Sequence, residues 1–240
     1  YMLAALAIAA CQQPVQPEMA PGKVQVEPVI TRATEVNFED GDRIGFTMTK
    51  VNGAEAYASN ECLTFGGGVF SGDLMWYADA YSEADVYAYY PYDAQGTPTA
   101  YAAVLDQTEG IAQADFMAAA KKGVLPTPNA ITMVFKHMMT KLVINIDNLS
   151  GADVTAVKIL GGDAACDIDL PNLAVLPASG AMPDILTEIT AYEATAGKVW
   201  QAIVIPQTAK LQVEVSLSNG KKISQPLAEM TLKSGGQYTI

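Results

Sequence analysis

Histidine is nearly missing from this chain: His137 is the only one. A general base that works near neutral pH is usually a histidine, so no Ser-His-Asp or Cys-His set can be assembled without that residue. Lying in the strand-like stretch Phe135-Lys136-His137, it reads as a structural group. Cysteine is scarce too, with Cys11, Cys62 and Cys166 the three present and neither a Cys-x-x-Cys pair nor a Cys/His cluster among them. A structural zinc site therefore has no ligand set, and no metal or cofactor is expected. Gly66-Gly67-Gly68 lacks the Lys-Ser/Thr that completes a phosphate loop and reads as a flexible turn. Asp163, Asp167 and Asp169 miss the EF-hand spacing and read as a solvated acidic turn. Positive charge is short: 14 Lys and Arg face 26 Asp and Glu, a net charge of −12. Nucleic acid is a poor partner for such a chain, because phosphate binding needs clustered Lys and Arg. Nothing in these residues supports an enzyme.

What is present begins with an address. The apolar run from Met2 to Ala10 ends in Ile8-Ala9-Ala10-Cys11. It is shorter than the roughly 20 residues that span a bilayer, so it reads as a processed segment. Small residues before a cysteine are the pattern of a bacterial lipoprotein signal, whose peptidase admits short side chains and whose Cys11 thiol takes the lipid. Tyr1 opens the chain with neither an initiator Met nor a basic n-region, so the signal reads as clipped at its front. Membrane attachment through a lipid on Cys11 and an exported location follow. In an oxidising compartment Cys62 and Cys166 can pair, although two buried free thiols fit their wide separation better.

Residues 12–22 are rich in Pro, Gln, Glu and Ala, a composition that builds no core and reads as an extended tether. Lys23 to Ile30 then alternates weakly, with Val24 and Val26 on one side. From Phe38 onward short strands follow one another. Ile44, Phe46 and Met48 share a face; an aromatic strand from Asp85 is stopped by Pro91; Leu142, Ile144 and Ile146 alternate with Val143, Asn145 and Asp147. Leu211, Val213, Val215 and Leu217 alternate most cleanly, and Asn219-Gly220 behind them is a strong hairpin signal. Residues 111–122, rich in Ala and flanked by Gly110 and Gly123, are the one stretch predicted to be helical. The 240 residues suit two domains, of all-β sandwich type, divided near His137 after the approach Leu125-Pro126-Thr127-Pro128. Trp76, Tyr90 and their aromatic neighbours are candidates for stacking on a sugar, although aromatics are also ordinary strand formers.

Several segments in sequence resemble the fimbrillin family, the type V pilus subunits of Bacteroidetes-type bacteria. They are Val86-Tyr87-Ala88-Tyr89-Tyr90-Pro91-Tyr92, Gln113-Ala114-Asp115-Phe116-Met117-Ala118, Val134-Phe135-Lys136-His137-Met138-Met139-Thr140-Lys141-Leu142, Ala202-Ile203-Val204-Ile205-Pro206-Gln207-Thr208 and Leu232-Lys233-Ser234-Gly235-Gly236-Gln237-Tyr238. No single one is decisive; their order across nearly the whole chain carries the resemblance.

The resemblance implies two tandem transthyretin-like, Greek-key β-sandwiches. Residues 1–11 would be the lipoprotein signal, 12–32 a tether with a removable first strand, 33–137 the first sandwich and 138–240 the second. It implies cleavage between Arg32 and Ala33 by a trypsin-like protease at the surface. Release of the first strand and entry of a strand from another fimbrial subunit would follow, by β-strand addition. Four or five apolar side chains buried in such a groove contribute roughly 6–15 kcal/mol before ordering costs. The expected location is the outer membrane as a lipoprotein and then a surface fimbrium, with host or bacterial surface glycan or protein as adhesion partner. A surface lipoprotein that binds glycan without polymerising is the competing expectation. The chain stops at Ile240, where the family's members continue, so the second sandwich is expected to be truncated or to lack a donor tail. It is also short for a shaft subunit, which favours an accessory, tip or anchor role, or a fragment.

Overall fold

Strands account for every long regular element among the described residues. The computed structural model of the chain describes residues 22–30, 37–51, 53, 56–179 and 187–240. In the first half the strands are β1 (Lys23–Ile30), β2 (Arg43–Lys50), β3 (Ala56–Gly66), β4 (Val69–Met75), β5 (Ala84–Tyr90), β6 (Ala100–Ala102), β7 (Met117–Val124) and β8 (Ile131–His137). In the second they are β9 (Thr140–Asn145), β10 (Val154–Leu160), β11 (Ala165–Asp169), β12 (Ala174–Pro177), β13 (Glu188–Thr190), β14 (Tyr192–Thr195), β15 (Val199–Val204), β16 (Thr208–Ala209), β17 (Gln212–Leu217), β18 (Lys222–Pro226), β19 (Met230–Thr231) and β20 (Gln237–Thr239). Among the described residues the only helical element is a 3₁₀ turn at Ala112–Ala114.

Seven strands hydrogen-bond around a closed barrel in the order β1-β4-β3-β2-β5-β7-β8. Every neighbouring pair is antiparallel except β1 with β8, which are parallel. The sequence predicts β-sandwiches. The structure closes the first of them, because β1 bonds β4 on one side and β8 on the other. Ile44, Phe46 and Met48 fill the interior, as their alternation predicts, with Leu63, Phe70, Met133 and Phe135. Phe38 packs edge-on against Phe70 (4.9 Å between ring centres), Tyr90 (5.3 Å) and Phe135 (5.3 Å). Gly45 faces the ring of Tyr89, and a Cβ there would lie 2.2 Å from it.

One expectation is corrected here. Residues 111–122 form the short 3₁₀ turn and the start of β7, not a helix. β7 runs between β5 and β8, and Met117, Ala118 and Ala119 are all buried there. Burial between two strands overrides the modest helical preference of alanine. Gly66-Gly67-Gly68 is a tight hairpin turn between β3 and β4, with φ of 61° at Gly67 and 90° at Gly68. Those two positive angles are what a type I′ turn demands.

The second half forms two four-stranded sheets, β13-β10-β17-β18 and β14-β15-β9-β20. Between them lie Leu142, Ile144, Val157, Ile159, Trp200 and Val213. Leu211, Val213 and Leu217 are buried and Val215 packs partly against the same core. Asn219-Gly220 turns β17 into β18, with Gly220 at φ 79°. The halves interlock. β6, from the first, pairs with β11, from the second, in the sheet β12-β11-β6. A third core sits between them, where Tyr89 and Phe116 meet Met138, Met139, Ile203 and Ile205. The proline segment at 126–128, read as the approach to the junction, instead joins β7 to β8 at the opposite end of the barrel.

Candidate functional site: the slot filled by the first strand

β1 closes the barrel with two deeply buried residues, Val24 and Val26. Its burial alternates: Val24 and Val26 are 0% exposed, whereas Lys23, Glu27 and Val29 face solvent. The period-two pattern puts both valines in the core beside Phe70, Ile131 and Phe135. β4 contributes one wall of the slot, through the registers Lys23↔Met75, Gln25↔Ser71 and Val26↔Phe70. β8 contributes the other, from Val26↔Ile131 to Ile30↔Phe135. Pro28 lies beyond the last β4 register pair, where a missing N–H costs no bond to that neighbour.

Few side-chain contacts add to this. Lys23 Nζ approaches Asp73 Oδ1 at 3.1 Å, both exposed, and Thr132 Oγ1 donates to Glu27 Oε2 at 3.1 Å. Exposed pairs of this kind contribute about 0–1 kcal/mol. Two fully buried valines contribute about 3–6 kcal/mol before ordering costs. That is less than the four or five side chains foreseen from the sequence, because only Ile30 joins the valines, as a partly buried contact. The slot is thus deep at two positions and shallow beyond them.

The other residues singled out by sequence are placed as follows. Cys11, Arg32 and Ala33 lie outside the described residues; β1 ends at Ile30, two residues before Arg32. Trp76 is 2% exposed, and its indole N–H is buried without an acceptor among the described residues. Tyr90 is half-buried against Phe38 and donates its hydroxyl to Asp42 Oδ1 at 3.1 Å. Burial, and next the negative charge of Asp42, push the Tyr90 hydroxyl up to about 12. The exposed ring of this region is Tyr81, at 78%. Cys62, half-buried in β3, and Cys166, buried in β11, are free thiols. Burial, reinforced by Asp167 and Asp163, raises the Cys166 thiol to about 12, which keeps it protonated. Asp167 and Asp169 accept backbone N–H groups of Ser179 and Asn172 in the β11–β12 region. Among the described residues no three His, Cys, Asp or Glu are placed to hold a metal ion. His137 is buried at the end of β8, with Nδ1 at 2.8 and 2.9 Å from the two carboxylate oxygens of Asp115.

Two features escaped the sequence reading. The parallel closure of β1 on β8 links segments about a hundred residues apart, a pairing that no local pattern encodes. The partnership of His137 with Asp115 had a faint signal, since both residues fall within the family-like segments quoted above.

The sequence pattern of the fimbrillin-like family matches residues 31–240. This chain belongs to the fimbrillin-like family. Solved structures agree at the level of fold. A candidate cell adhesion protein of Bacteroides uniformis superposes on this fimbrillin-like chain with a TM-score of 0.68 and 23% identity, covering 91% of each chain. A second from Bacteroides ovatus gives 0.69 and 22%, covering 92% of each. The tip fimbrial protein Mfa3 of Porphyromonas gingivalis, truncated at its C-terminus, gives 0.50 and 7%, covering 87% of this chain and 82% of that one. No curated protein matches the sequence. Membership in this family makes the fimbrillin-like chain a fimbrial or adhesion subunit exposed at the cell surface.

Proposed function

We propose that this protein is a non-enzymatic subunit of a surface fimbria that assembles by strand exchange after proteolysis. In this reading it is exported as a lipoprotein acylated at Cys11, reaches the outer membrane and is cut between Arg32 and Ala33. It comprises two tandem transthyretin-like modules, 33–137 and 138–240, the first completed by β1 until the cut. The observation that supports the reading is the seating of β1 between β4 and β8 with Val24 and Val26 fully buried. Removing β1 would uncover an apolar slot and the unpaired backbone groups of two strands, an arrangement that favours pairing with another chain. The shallow hold on β1 makes it replaceable, because an incoming strand must match only two deep contacts and the backbone bonds. Detachment of β1 also detaches Cys11 and its lipid, freeing the subunit from the membrane.

The test is limited trypsin digestion of the full-length protein, followed by N-terminal sequencing and an unboiled denaturing gel. A new terminus at Ala33 with a ladder of heat-sensitive multimers is expected for a polymerising subunit. A cut without a ladder identifies a terminal or accessory subunit that needs a partner's strand. No cut and a stable monomer would refute the reading and favour the glycan-binding lipoprotein, with Tyr81 rather than Trp76 as the solvent-exposed ring.

A further inference from the structure

We propose that β8 and β9 form one load-bearing spine through the molecule, and that the link between them is a rigid coupling, not a hinge. A fimbrial or adhesion subunit exposed at the cell surface is pulled along its length whenever the cell is dragged against what it holds. The route that tension takes is then part of its work. The spine is present in the uncut chain, so it stands or falls apart from the cut at Arg32.

β8 ends at His137 and β9 begins at Thr140, so only Met138 and Met139 separate them. Two modules of one chain are usually joined by an exposed linker rich in Pro, Gly and polar residues, and they move relative to each other. Here Met138 is 1% exposed, Met139 2% and Thr140 0%. The first half holds this link through Met138 N–H, which donates to the Phe116 carbonyl at 2.8 Å. The second half holds it through residues 233–235. Ser234 Oγ donates to the Met138 carbonyl at 2.8 Å, and Gly235 N–H donates to the Met139 carbonyl at 3.0 Å. Thr140 Oγ1 donates to the Lys233 carbonyl at 2.9 Å. Gly235, at φ 64°, lies so near the link that a Cβ would sit 3.0 Å from the His137 carbonyl oxygen.

Two outer strands lie parallel on this spine. β1 runs beside β8 from Val26↔Ile131 to Ile30↔Phe135, and β20 beside β9 from Gln237↔Lys141 to Thr239↔Val143. β1 starts and β20 ends away from the link, on either side of it. Tension between those points slides β1 back along β8 and β20 forward along β9. The bonds of a parallel pair are evenly spaced, so sliding loads them together, whereas peeling breaks them one at a time. β1 shares its load between β8 and β4, but β20 bonds β9 alone within its sheet. β20 is thus the first to yield. Its bonds include Lys141 N–H to the Gly236 carbonyl at 2.9 Å and Asn145 N–H to the Ile240 carbonyl at 2.8 Å. Residues 233–236 lead directly into β20, so the tie from Thr140 to Lys233 resists the same sliding.

Single-molecule pulling on the full chain tests this. One geometry holds the chain by its first and last residues. The other holds the last residue and an azide-bearing residue at position 149, in the exposed loop behind β9, so that β20 peels from its end. The first geometry should need severalfold more force, and equal forces overturn the spine. Thr140→Val and Thr187→Val each remove a buried hydroxyl tie, on the spine and away from it; Thr187 Oγ1 donates to the Gly161 carbonyl at 2.6 Å. Under end-to-end load Thr140→Val should unfold about five- to tenfold faster than wild type, with Thr187→Val near the wild-type rate. Equal acceleration by both variants, or by neither, overturns the spine. If Thr140→Val fails to fold, Ser234→Ala removes the tie to the Met138 carbonyl and is judged in the same way.

Discussion

The side-chain amide of Gln107 pairs with the backbone of Ile203 as a neighbouring strand would. Its Oε1 accepts from Ile203 N–H at 2.8 Å, and its Nε2 donates to the Ile203 carbonyl at 2.8 Å and to the Val104 carbonyl at 2.9 Å. Gln107 is 1% exposed, and the pairing joins residues 96 positions apart across the two halves. Gln107→Leu keeps the volume but strands two buried backbone groups, at about 1–3 kcal/mol each. Urea unfolding should show a loss of that size, and a variant within experimental error of wild type would remove Gln107 from the junction.

His137 and Asp115 form a buried polar pair within the first half, at its end nearest the second. His137→Phe leaves the buried Asp115 carboxyl without its ring nitrogen, and stranding a buried polar group costs about 1–3 kcal/mol. Adding Asp115→Leu removes the stranded carboxylate, so the double variant should be more stable than His137→Phe alone. A double-mutant cycle followed by thermal unfolding measures that recovery; its absence would mean the pair is uncoupled.

Gly45 tests the packing of β2 on β5. Gly45→Ala must displace the ring of Tyr89, which is fully buried and whose hydroxyl donates to Asn60 Oδ1 at 2.6 Å. Overpacking of this kind costs about 1–3 kcal/mol. The urea midpoint should fall accordingly, and a wild-type midpoint would place the strand elsewhere.

Tyr90 makes a prediction about alkaline pH. Its hydroxyl ionises near 10.0 when unfolded and is held up to about 12 in the fold, by burial first and Asp42 second. Between those values the unfolded chain has released a proton that the fold retains, so stability falls as pH rises through that window. Unfolding free energy followed from pH 9 to 12 should decline less steeply for Tyr90→Phe than for wild type. Burial also raises Tyr89 and Tyr101, so some slope will persist. Identical slopes in the two proteins would refute the assignment.

Much of the strand content was legible because each strand carries its own evidence. Ile44, Phe46 and Met48 share an interior by alternation alone, and Asn219-Gly220 needs no tertiary knowledge to be a turn. Val24 and Val26 also pointed to a strand, and to the side that it buries. What they could not convey is the company β1 keeps, since β4 and β8 are distant in sequence and a parallel pairing leaves no local trace. The alanines around β7 misled for a related reason: a small residue is compatible with helix or with a tightly flanked strand, and the flanking strands decided. Trp76 shows the same limit for the candidate sugar-stacking residues. An aromatic ring is equally at home in a core or in a binding face, and only its neighbours tell which.

The parallel closure of β1 on β8 bears on export. β1 emerges from a translocating pore well before its partners, and Glu27 must wait for Thr132, 105 residues later. Until β8 arrives the barrel cannot shut, however complete its earlier strands are. The newborn chain therefore passes through a stage with an unfilled seam, in which an early strand of any sister molecule is as good a fit as its own. Escort during transit, or a dilute and rapid passage, would keep sister chains from joining prematurely.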